Sequence, residues 1–434
     1  MDFLLRTRRD QPIQPSPTVL LDWIREGSTI QVRQNLLTGL VPTSACLDFF
    51  RFAAAVFCAD KLAVRPGTWT RPMSLAMPVR NLDAWTAVSA SLGETLSFLS
   101  GDNWLVHPIA TAEADRPFEP VEDPVDAVCL FSGGLDSFAG AVDLLADGKK
   151  VCLVAHYEGG QAPKTQLHLA RRLGARYGSD RVVFRHLFLR PAPHSPLQVR
   201  PLPAEREPST RARSILFLAA GLVVASGYGP DVPLFIPENG FIGINVPLTD
   251  ARNGSLSTRT THPHFMEALT RCVARLGVSN TITNPYRVMT KGEMLAASHD
   301  QETLFRLAQQ TLSCAHPEAP RYAKRPQGNC GYCFPCLIRR ASLHHVGLDR
   351  PDDYAFDVLR EDDEMVGDRG ADLRALVRSL NRPAQAIDVL RNGPVPPDDI
   401  SAFAGVFERG RVEILNWLTA ATTSPALRRQ LPPS

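Results

Sequence analysis

A glycine-rich stretch, Ser-Gly-Gly-Leu-Asp-Ser at residues 132–137, follows a short apolar run and precedes a helical pattern. Glycine lets the backbone approach an anion closely, and the amides at the start of the next helix point at that anion. No Gly-Lys-Ser/Thr follows, so this is not a Walker A loop, and the spacing differs from a dinucleotide fingerprint. The stretch therefore predicts a site for departing pyrophosphate, unless it is only a tight turn that Asp136 caps. The candidate residues are Ser132, Gly133, Gly134, Leu135, Asp136 and Ser137.

Four cysteines form the second group of side chains that could do chemistry. Cys330, Cys333 and Cys336 make two overlapping Cys-x2-Cys pairs, and Cys314 precedes them. Four thiolates around one ion leave no open position, which is typical of a structural zinc site. An iron–sulfur cluster is the alternative, because thiolates bind both metals. The remaining cysteines are interpreted as small buried hydrophobes: Cys46, Cys58, Cys129, Cys152 and Cys272.

Alternating strand and helix patterns surround the glycine turn. Strands that are separated by helices of this length predict a parallel sheet wound by right-handed crossovers, with helices on both faces. The predicted fold class is therefore α/β. The apolar runs lie at 127–131, 151–157, 182–188 and 233–238, and the helical patterns lie at 136–147, 163–177 and 211–226.

The length of 434 residues predicts two or three domains. Residues 1–122 mix helical and strand-like patterns, so we expect an N-terminal α+β domain of unknown role. Residues 123–348 contain the predicted parallel sheet and the cysteine cluster. Residues 349–434 are charged and periodic, which predicts a helical C-terminal region.

Composition narrows the class of function. The formal net charge is only +2, so the charge balance does not indicate a nucleic-acid-binding protein. The longest apolar stretch, 215–225, is shorter than the roughly 20 residues that span a bilayer, and we see no signal peptide. Nine cysteines in a long chain in which we see no signal peptide do not indicate a disulfide framework. We expect a cytoplasmic protein without membrane contact, and its oligomeric state stays open.

The sequence of residues 132–137 resembles the signature of the PP-loop ATP pyrophosphatases, and the resemblance covers about residues 125–345. It implies that ATP is split between its α- and β-phosphates and that AMP is transferred to a substrate oxygen. A nucleophile then attacks this adenylate. The resemblance also implies ATP and Mg²⁺ as cofactors, with Asp136 helping to place pyrophosphate or its metal.

The glycine turn together with the downstream cysteines resembles one branch of these enzymes, the 7-cyano-7-deazaguanine synthase (QueC) family. Tyr157 and Gln161 resemble that family's Tyr-Gly-Gln segment, which implies a place beside the cofactor. Arg213 and Lys291 lie in stretches similar to its Arg-bearing helix and its Lys-x-Glu segment. With Asp136 they are the implied catalytic residues, because cations stabilise charge that develops during adenylyl transfer. The alternative is that each cation is a solvated charge at a helix start.

The stretch 237–265 differs from those synthases, which carry a segment rich in Asp and Cys in its place. Its side chains offer donors suited to a carboxylate or a ring edge, although a polar turn before a capped helix is the alternative. This stretch and the extra terminal regions resemble the QueC-like proteins of Qat anti-phage defence systems. The candidate substrate residues are Glu238, Asn239, Arg252, Arg259 and His262.

These resemblances imply an ATP-dependent, AMP-forming ligase that adenylates a 7-carboxy-7-deazaguanine-like acid and passes it to an amine. The expected acceptor is the amino terminus of a partner protein from the same defence operon. Three alternatives stay open. They are a 7-cyano-7-deazaguanine synthase that uses ammonia, an RNA-modifying PP-loop enzyme, and a nucleotide-bound scaffold of a defence complex that does no catalysis.

Overall fold

The structure is a computed structural model that describes residues 1–13, 17–24, 29–65, 70–115, 117–194, 201–209, 211–247, 259–322, 324–325, 328–360, 367–420 and 424–432. Strands β1 to β10 are Asp2–Arg6, Val19–Asp22, Ile30–Gln34, Pro72–Val79, Asn103–Ala110, Ala127–Leu130, Val151–Tyr157, Val182–Pro191, Leu234–Phe235 and Ile282–Thr283. Helices α1 to α14 are Ser44–Leu62, Leu82–Ser100, Leu135–Ala146, Ala162–Tyr177, Arg213–Tyr228, Gly240–Ile244, Pro263–Arg275, Lys291–Ala296, Gln301–Ala308, Ala319–Tyr322, Phe334–His345, Ala371–Leu380, Ile400–Leu418 and Pro425–Arg428.

The larger sheet has the strand order β10-β9-β6-β7-β8-β3, and its pairs are parallel except for the antiparallel pair β8–β3. Alternate residues of β6 and β7 point to opposite faces. Ala127 and Leu153 pack in the core with α3 and α4, whereas Val128 and Val154 pack in the core with α1 and α5. A strand that is covered on both faces must be apolar, which explains the apolar runs of β6 and β7. The predicted parallel sheet flanked by helices is confirmed.

The smaller sheet has the order β2-β1-β4-β5 and is parallel throughout. Strand β3 lies between β2 and β4 in sequence, but it is not part of this sheet. It pairs with β8 at the edge of the larger sheet, from Ile30 opposite Pro191 onward. One apolar core runs from Phe3 through α1 and α5 to Val278. The first part of the chain is therefore joined to the larger sheet by both pairing and packing, and the domain boundaries after residues 122 and 348 stay a prediction.

The C-terminal helices pack beside the start of α8. Helices α11, α12 and α13 share an apolar core with Phe241 of α6. From α13 the buried Glu413 carboxylate accepts the Thr290 hydroxyl and the Gly292 N–H (3.2 Å), on either side of Lys291. The C-terminal region thus contacts the first turn of α8, which begins at Lys291. Within the described ranges, no helix combines the length and the apolar character needed to cross a membrane.

Candidate active site

The glycine turn joins the carboxyl end of β6 to α3, as predicted. Gly133 has φ +82°, a conformation that favours glycine, and its carbonyl accepts the Leu312 N–H at 2.9 Å. The Ser132 and Ser137 hydroxyls lie 3.1 Å apart, and the Leu135 N–H donates to the Ser313 hydroxyl at 3.0 Å. Residues 312–313 therefore pack directly on the turn. Backbone amides and hydroxyls converge there, as an anion site requires.

Gln166 holds the turn from the other side. Its side-chain amide donates to the carbonyls of Ser132 at 3.1 Å and His156 at 3.3 Å, and it is buried. A methyl group placed on Gly133 would come within 3.2 Å of the Gln166 side chain. Sequence reasoning missed Gln166 and Ser313. Gln166 lies inside an ordinary amphipathic helix, and for Ser313 the available signal was its place directly before Cys314.

Asp136 and Lys291, two of the predicted catalytic residues, are in direct contact. The Lys291 ammonium forms an ion pair with one carboxylate oxygen of Asp136, and both side chains are largely buried. The other oxygen accepts the Asn239 backbone N–H at 3.2 Å and its side-chain amide at 2.7 Å. Helix α3 has no side-chain cap, so the interpretation of Asp136 as a simple cap is wrong. Three segments distant in sequence meet at this carboxylate.

Two adjoining cavities lie beside the turn. The first, of about 250 Å³, contains Asp136, Lys291 and Ser313 in its wall. The second, of about 300 Å³, is lined by Leu99 and three arginines. Four residues line both cavities: Ser132, Ser137, Pro237 and Glu238. The two spaces are therefore neighbours across the glycine turn and the segment after β9.

Arg211, Arg213 and Arg259 face the second cavity, and no described carboxylate lies within ion-pair distance of any of them. Arg211 donates to the Ser100 carbonyl at 2.7 Å, and Arg259 donates to the Phe98 carbonyl at 2.6 Å. Both carbonyls belong to the C-terminal end of α2, where the helix dipole favours cations. Burial lowers the pKa of all three guanidinium groups, because it disfavours their charge. Three partly desolvated cations favour an anionic occupant.

Three other sequence-predicted residues, Tyr157, Gln161 and His262, do not line these cavities. Tyr157 ends β7, but its ring lies 5.9 Å from that of His186, and Gln161 directly precedes α4. His262 is fully buried and caps α7, and burial lowers its pKa to about 3. It lies behind the cavity wall, with its ring centroid 5.1 Å from that of Phe98. Arg252 lies outside the described residues.

Glu238 has an unusual carboxyl group. It lines both cavities and accepts the Thr261 hydroxyl, and no described lysine or arginine pairs with it. Part of the Glu238 residue is exposed to the cavities, but its carboxyl group is buried. Burial above all, with the nearby Asp136 charge, raises its pKa to about 7, whereas Thr261 and Lys291 act in the opposite direction. This carboxyl group can both bind and release a proton near neutrality.

The four predicted metal ligands come together. The sulfurs of Cys314, Cys330, Cys333 and Cys336 all lie within 4.8 Å of one another, and two pairs are 3.9 Å apart. In a tetrahedral site with Zn–S bonds of about 2.3 Å, neighbouring sulfurs lie about 3.8 Å apart. The cluster could therefore hold a metal such as zinc, and its spacing fits a single ion better than a cluster of several irons. Gly331 has φ +90°, and a methyl group there would meet the Phe356 carbonyl at 2.2 Å.

The cysteine cluster is connected to the glycine turn. Cys314 directly follows Ser313, whose hydroxyl accepts the Leu135 N–H. The Ser313 N–H donates to the Asn329 side chain at 3.0 Å, next to Cys330. A metal held by these cysteines would thus fix the segment that packs on the turn. Residues from the two sequence motifs form one continuous structure.

Curated proteins named 7-cyano-7-deazaguanine synthase are similar to this chain. The protein from Leptospira interrogans is 26% identical over 239 residues, which is 51% of this chain and 88% of the relative. The protein from Novosphingobium aromaticivorans is 28% identical over 244 residues, which is 53% of this chain and 94% of the relative. No family model and no solved structure matches the chain. The similarity supports the 7-cyano-7-deazaguanine synthase family.

Nearly half of this chain lies outside the length that it shares with these 7-cyano-7-deazaguanine synthases. The match takes up most of each relative, so the rest of the chain has little counterpart in them. Residues of the N-terminal and C-terminal regions nevertheless contact arginines that line the second cavity. Phe98 and Ser100 hold two of its arginines, and the Asn392 side chain accepts from Arg259 at 3.2 Å. Residues outside the glycine turn and the larger sheet therefore help to form the second cavity.

Replacing Gly133 with alanine should lower the free energy of unfolding by about 1–2 kcal/mol, the cost of a left-handed conformation for a residue with a side chain. It should also weaken binding of inorganic pyrophosphate, because the methyl group displaces Gln166 from the turn. Gly148→Ala is the matched control, since Gly148 has φ +86° but open space around it. Urea denaturation and titration calorimetry measure both quantities. Equal pyrophosphate affinity in the two variants would contradict an anion site at this turn.

Proposed function

We propose that this chain is an ATP-dependent enzyme that adenylates a 7-deazaguanine carboxylate and transfers it to an amine. The observation that carries this proposal is the second cavity, where Arg211, Arg213 and Arg259 face one space without a carboxylate partner among the described residues. A carboxylate in that space would offset the cost of desolvating these cations. The relatives' name, 7-cyano-7-deazaguanine synthase, supports a deazaguanine as the body of the acid.

The first cavity is suited to the phosphates of ATP. It combines the amides and hydroxyls of the glycine turn with the Lys291 ammonium. Asp136 and Glu238 are the described carboxylates in its wall, and Asp136, which already pairs with Lys291, would help to place Mg²⁺, which neutralises phosphate charge when it is bound. The two cavities share a wall, so an acid in one lies next to the α-phosphate of a nucleotide in the other.

In the proposed first step, a carboxylate oxygen of the acid attacks the α-phosphorus of ATP. The bond between the α-phosphorus and the oxygen bridging to the β-phosphate breaks, and pyrophosphate leaves toward the glycine turn. Lys291 and Arg213 stabilise the charge that develops on the phosphates, because fixed cations in a desolvated site act strongly. The product is an acyl adenylate that an amine can attack.

The acceptor in our proposal is an amine outside the chain. It is either ammonia, as in the alternative synthase reaction, or the amino terminus of a partner protein in anti-phage defence. In both cases nitrogen forms a bond to the acyl carbon, and AMP leaves with the carboxylate oxygen. Intact-mass spectrometry of proteins expressed together with this chain distinguishes the two, since only the second adds a deazaguanine mass to a protein.

Pyrophosphate release tests the proposal directly. Purified protein with Mg²⁺ and ATP should release pyrophosphate when 7-carboxy-7-deazaguanine is added, and it should exchange labelled pyrophosphate into ATP. Benzoate, a carboxylate without the deazaguanine ring, should support neither reaction. ATP binding without acid-dependent release would overturn the proposal and favour the scaffold alternative.

Replacing Arg259 with methionine should raise the KM for the deazaguanine acid at least about tenfold, because one charged hydrogen-bond donor is lost. Arg185→Met is the matched control. Arg185 also donates to backbone carbonyls, those of Asn35 and Leu36, but it does not line the cavity. Steady-state pyrophosphate release at varied acid concentrations measures the effect. A KM that rises equally in both variants would contradict a cavity role for Arg259.

A further inference from the structure

We propose that Glu238 accepts the proton that the amine loses when it attacks the acyl adenylate. This inference rests on the proposed function and assigns a catalytic role to a residue whose predicted role was to bind the acid. Glu238 lines both the cavity that holds the arginines and the cavity at the glycine turn. Its carboxyl group is therefore placed where the acyl carbon and the leaving AMP would meet.

The backbone of Glu238 is held firmly. Its carbonyl accepts the Asn284 side-chain amide at 2.9 Å, and its N–H donates to the same side chain at 3.4 Å. The preceding Pro237 packs against α3, where a methyl group on Gly140 would come within 2.2 Å of the proline ring. A fixed backbone keeps the carboxyl group at the junction of the two cavities, as a proton acceptor requires.

The charged groups around Glu238 leave it free to titrate. Asp136 and Lys291 face it from α3 and α8, but they are paired with each other. Across the second cavity lie Arg211, Arg213 and Arg259, and none forms an ion pair with it in the described structure. Among the described residues, the side chain that hydrogen-bonds to its carboxyl group is Thr261, through its hydroxyl. With a pKa of about 7, the carboxylate form is well populated near neutrality.

Other titratable groups near the cavities are less suited to this role. Asp136 is occupied by Lys291 and by the Asn239 amide. His156 and His262 are fully buried, and neither lines the first or the second cavity. Among the described residues that line the second cavity, Glu238 is the one with a carboxyl group. It is thus the group that an amine attacking the bound acid would meet.

In the transfer step, one bond at the acyl carbon replaces another. The amine nitrogen forms a bond to the acyl carbon, and the bond from that carbon to the AMP oxygen breaks. One proton moves from nitrogen to the Glu238 carboxylate, and AMP leaves as an anion. Without a proton acceptor the positively charged nitrogen would be expelled again, so transfer slows while adenylation continues.

Glu238→Gln tests the inference, because the two half-reactions can be measured apart. We expect acid-dependent pyrophosphate exchange to stay within about tenfold of wild type, whereas transfer to ammonia should fall by about 10²–10⁴-fold. Hydroxylamine, a stronger nucleophile that is largely uncharged at neutral pH, should restore much of the transfer. Equal losses of exchange and transfer, or transfer at the wild-type rate, would overturn the role of Glu238. An absence of exchange in the wild-type protein would instead overturn the proposed function itself.

Thr261 supplies a second test that keeps the carboxylate. Its hydroxyl donates to Glu238 and lowers the pKa of that carboxyl group. Transfer needs the deprotonated form, so its rate should rise with pH through about 7 in the wild type. Thr261→Val should move this rise to higher pH, and Thr261→Ser, which keeps the hydroxyl, should not. A transfer profile that does not move in Thr261→Val would count against the proton-accepting role.

Discussion

Replacing Asp136 with asparagine should reduce acid-dependent pyrophosphate release by about 10²–10³-fold, the loss typical of one charge-stabilising group. The same change leaves the Lys291 ammonium buried without its carboxylate. We therefore also expect the free energy of unfolding to fall by about 3 kcal/mol, as for other broken buried pairs. Pyrophosphate release and urea denaturation of the same preparation measure both effects.

The double variant Asp136→Asn/Lys291→Met separates stability from chemistry. It removes both charges, so the free energy of unfolding should recover toward wild type. Pyrophosphate release should stay as low as in the single variant, because both groups at the first cavity are then lost. Normal turnover in either variant would contradict the roles assigned to this pair.

Replacing Cys333 with serine should remove the bound metal and destabilise the chain by several kcal/mol, because metal binding at such a site is folding energy. The effect should reach the glycine turn. Ser313, next to Cys314, packs on Leu135, so pyrophosphate should bind more weakly once the segment 312–314 is no longer held. Elemental analysis, thermal denaturation and calorimetry with pyrophosphate measure the three effects.

Cys272→Ser is the control for this variant. Cys272 is buried on α7 away from the cluster, so its replacement should leave the metal content unchanged. Elemental analysis of the wild type also decides between zinc and an iron–sulfur cluster, which would colour the protein. A Cys333→Ser protein that is stable and free of metal would show that the cluster does not support the fold.

The structure gives the terminal regions a part in the candidate site. Helix α2 turns its C-terminal carbonyls toward Arg211 and Arg259, and Leu99 from the same helix end lines the cavity. From the other end of the chain, Glu413 binds the residues on either side of Lys291. In our proposal these contacts shape the acid's cavity and hold the phosphate side, so neither terminal region could be removed without loss of activity.

Several features could be predicted from the sequence because they depend on residue patterns within short stretches of the chain. The apolar runs of β6, β7 and β8 and the helices between them follow from periodicity, and the parallel sheet follows from their alternation. The glycine turn and the four cysteines follow from residue types at short spacing. The PP-loop class and the resemblance to Qat defence proteins stay predictions.

Only the tertiary structure decided which of these elements meet. Asp136, Asn239 and Lys291 come from three separate segments, and no local pattern shows that one carboxylate binds both of the others. The contact of the Tyr157 ring with His186 and the burial of His262 likewise depend on neighbours that are distant in sequence. Strand β3 joins the larger sheet for the same reason. Periodicity and turn chemistry act over a few residues, whereas ion pairs, cavities and the pKa of Glu238 depend on which surfaces pack together.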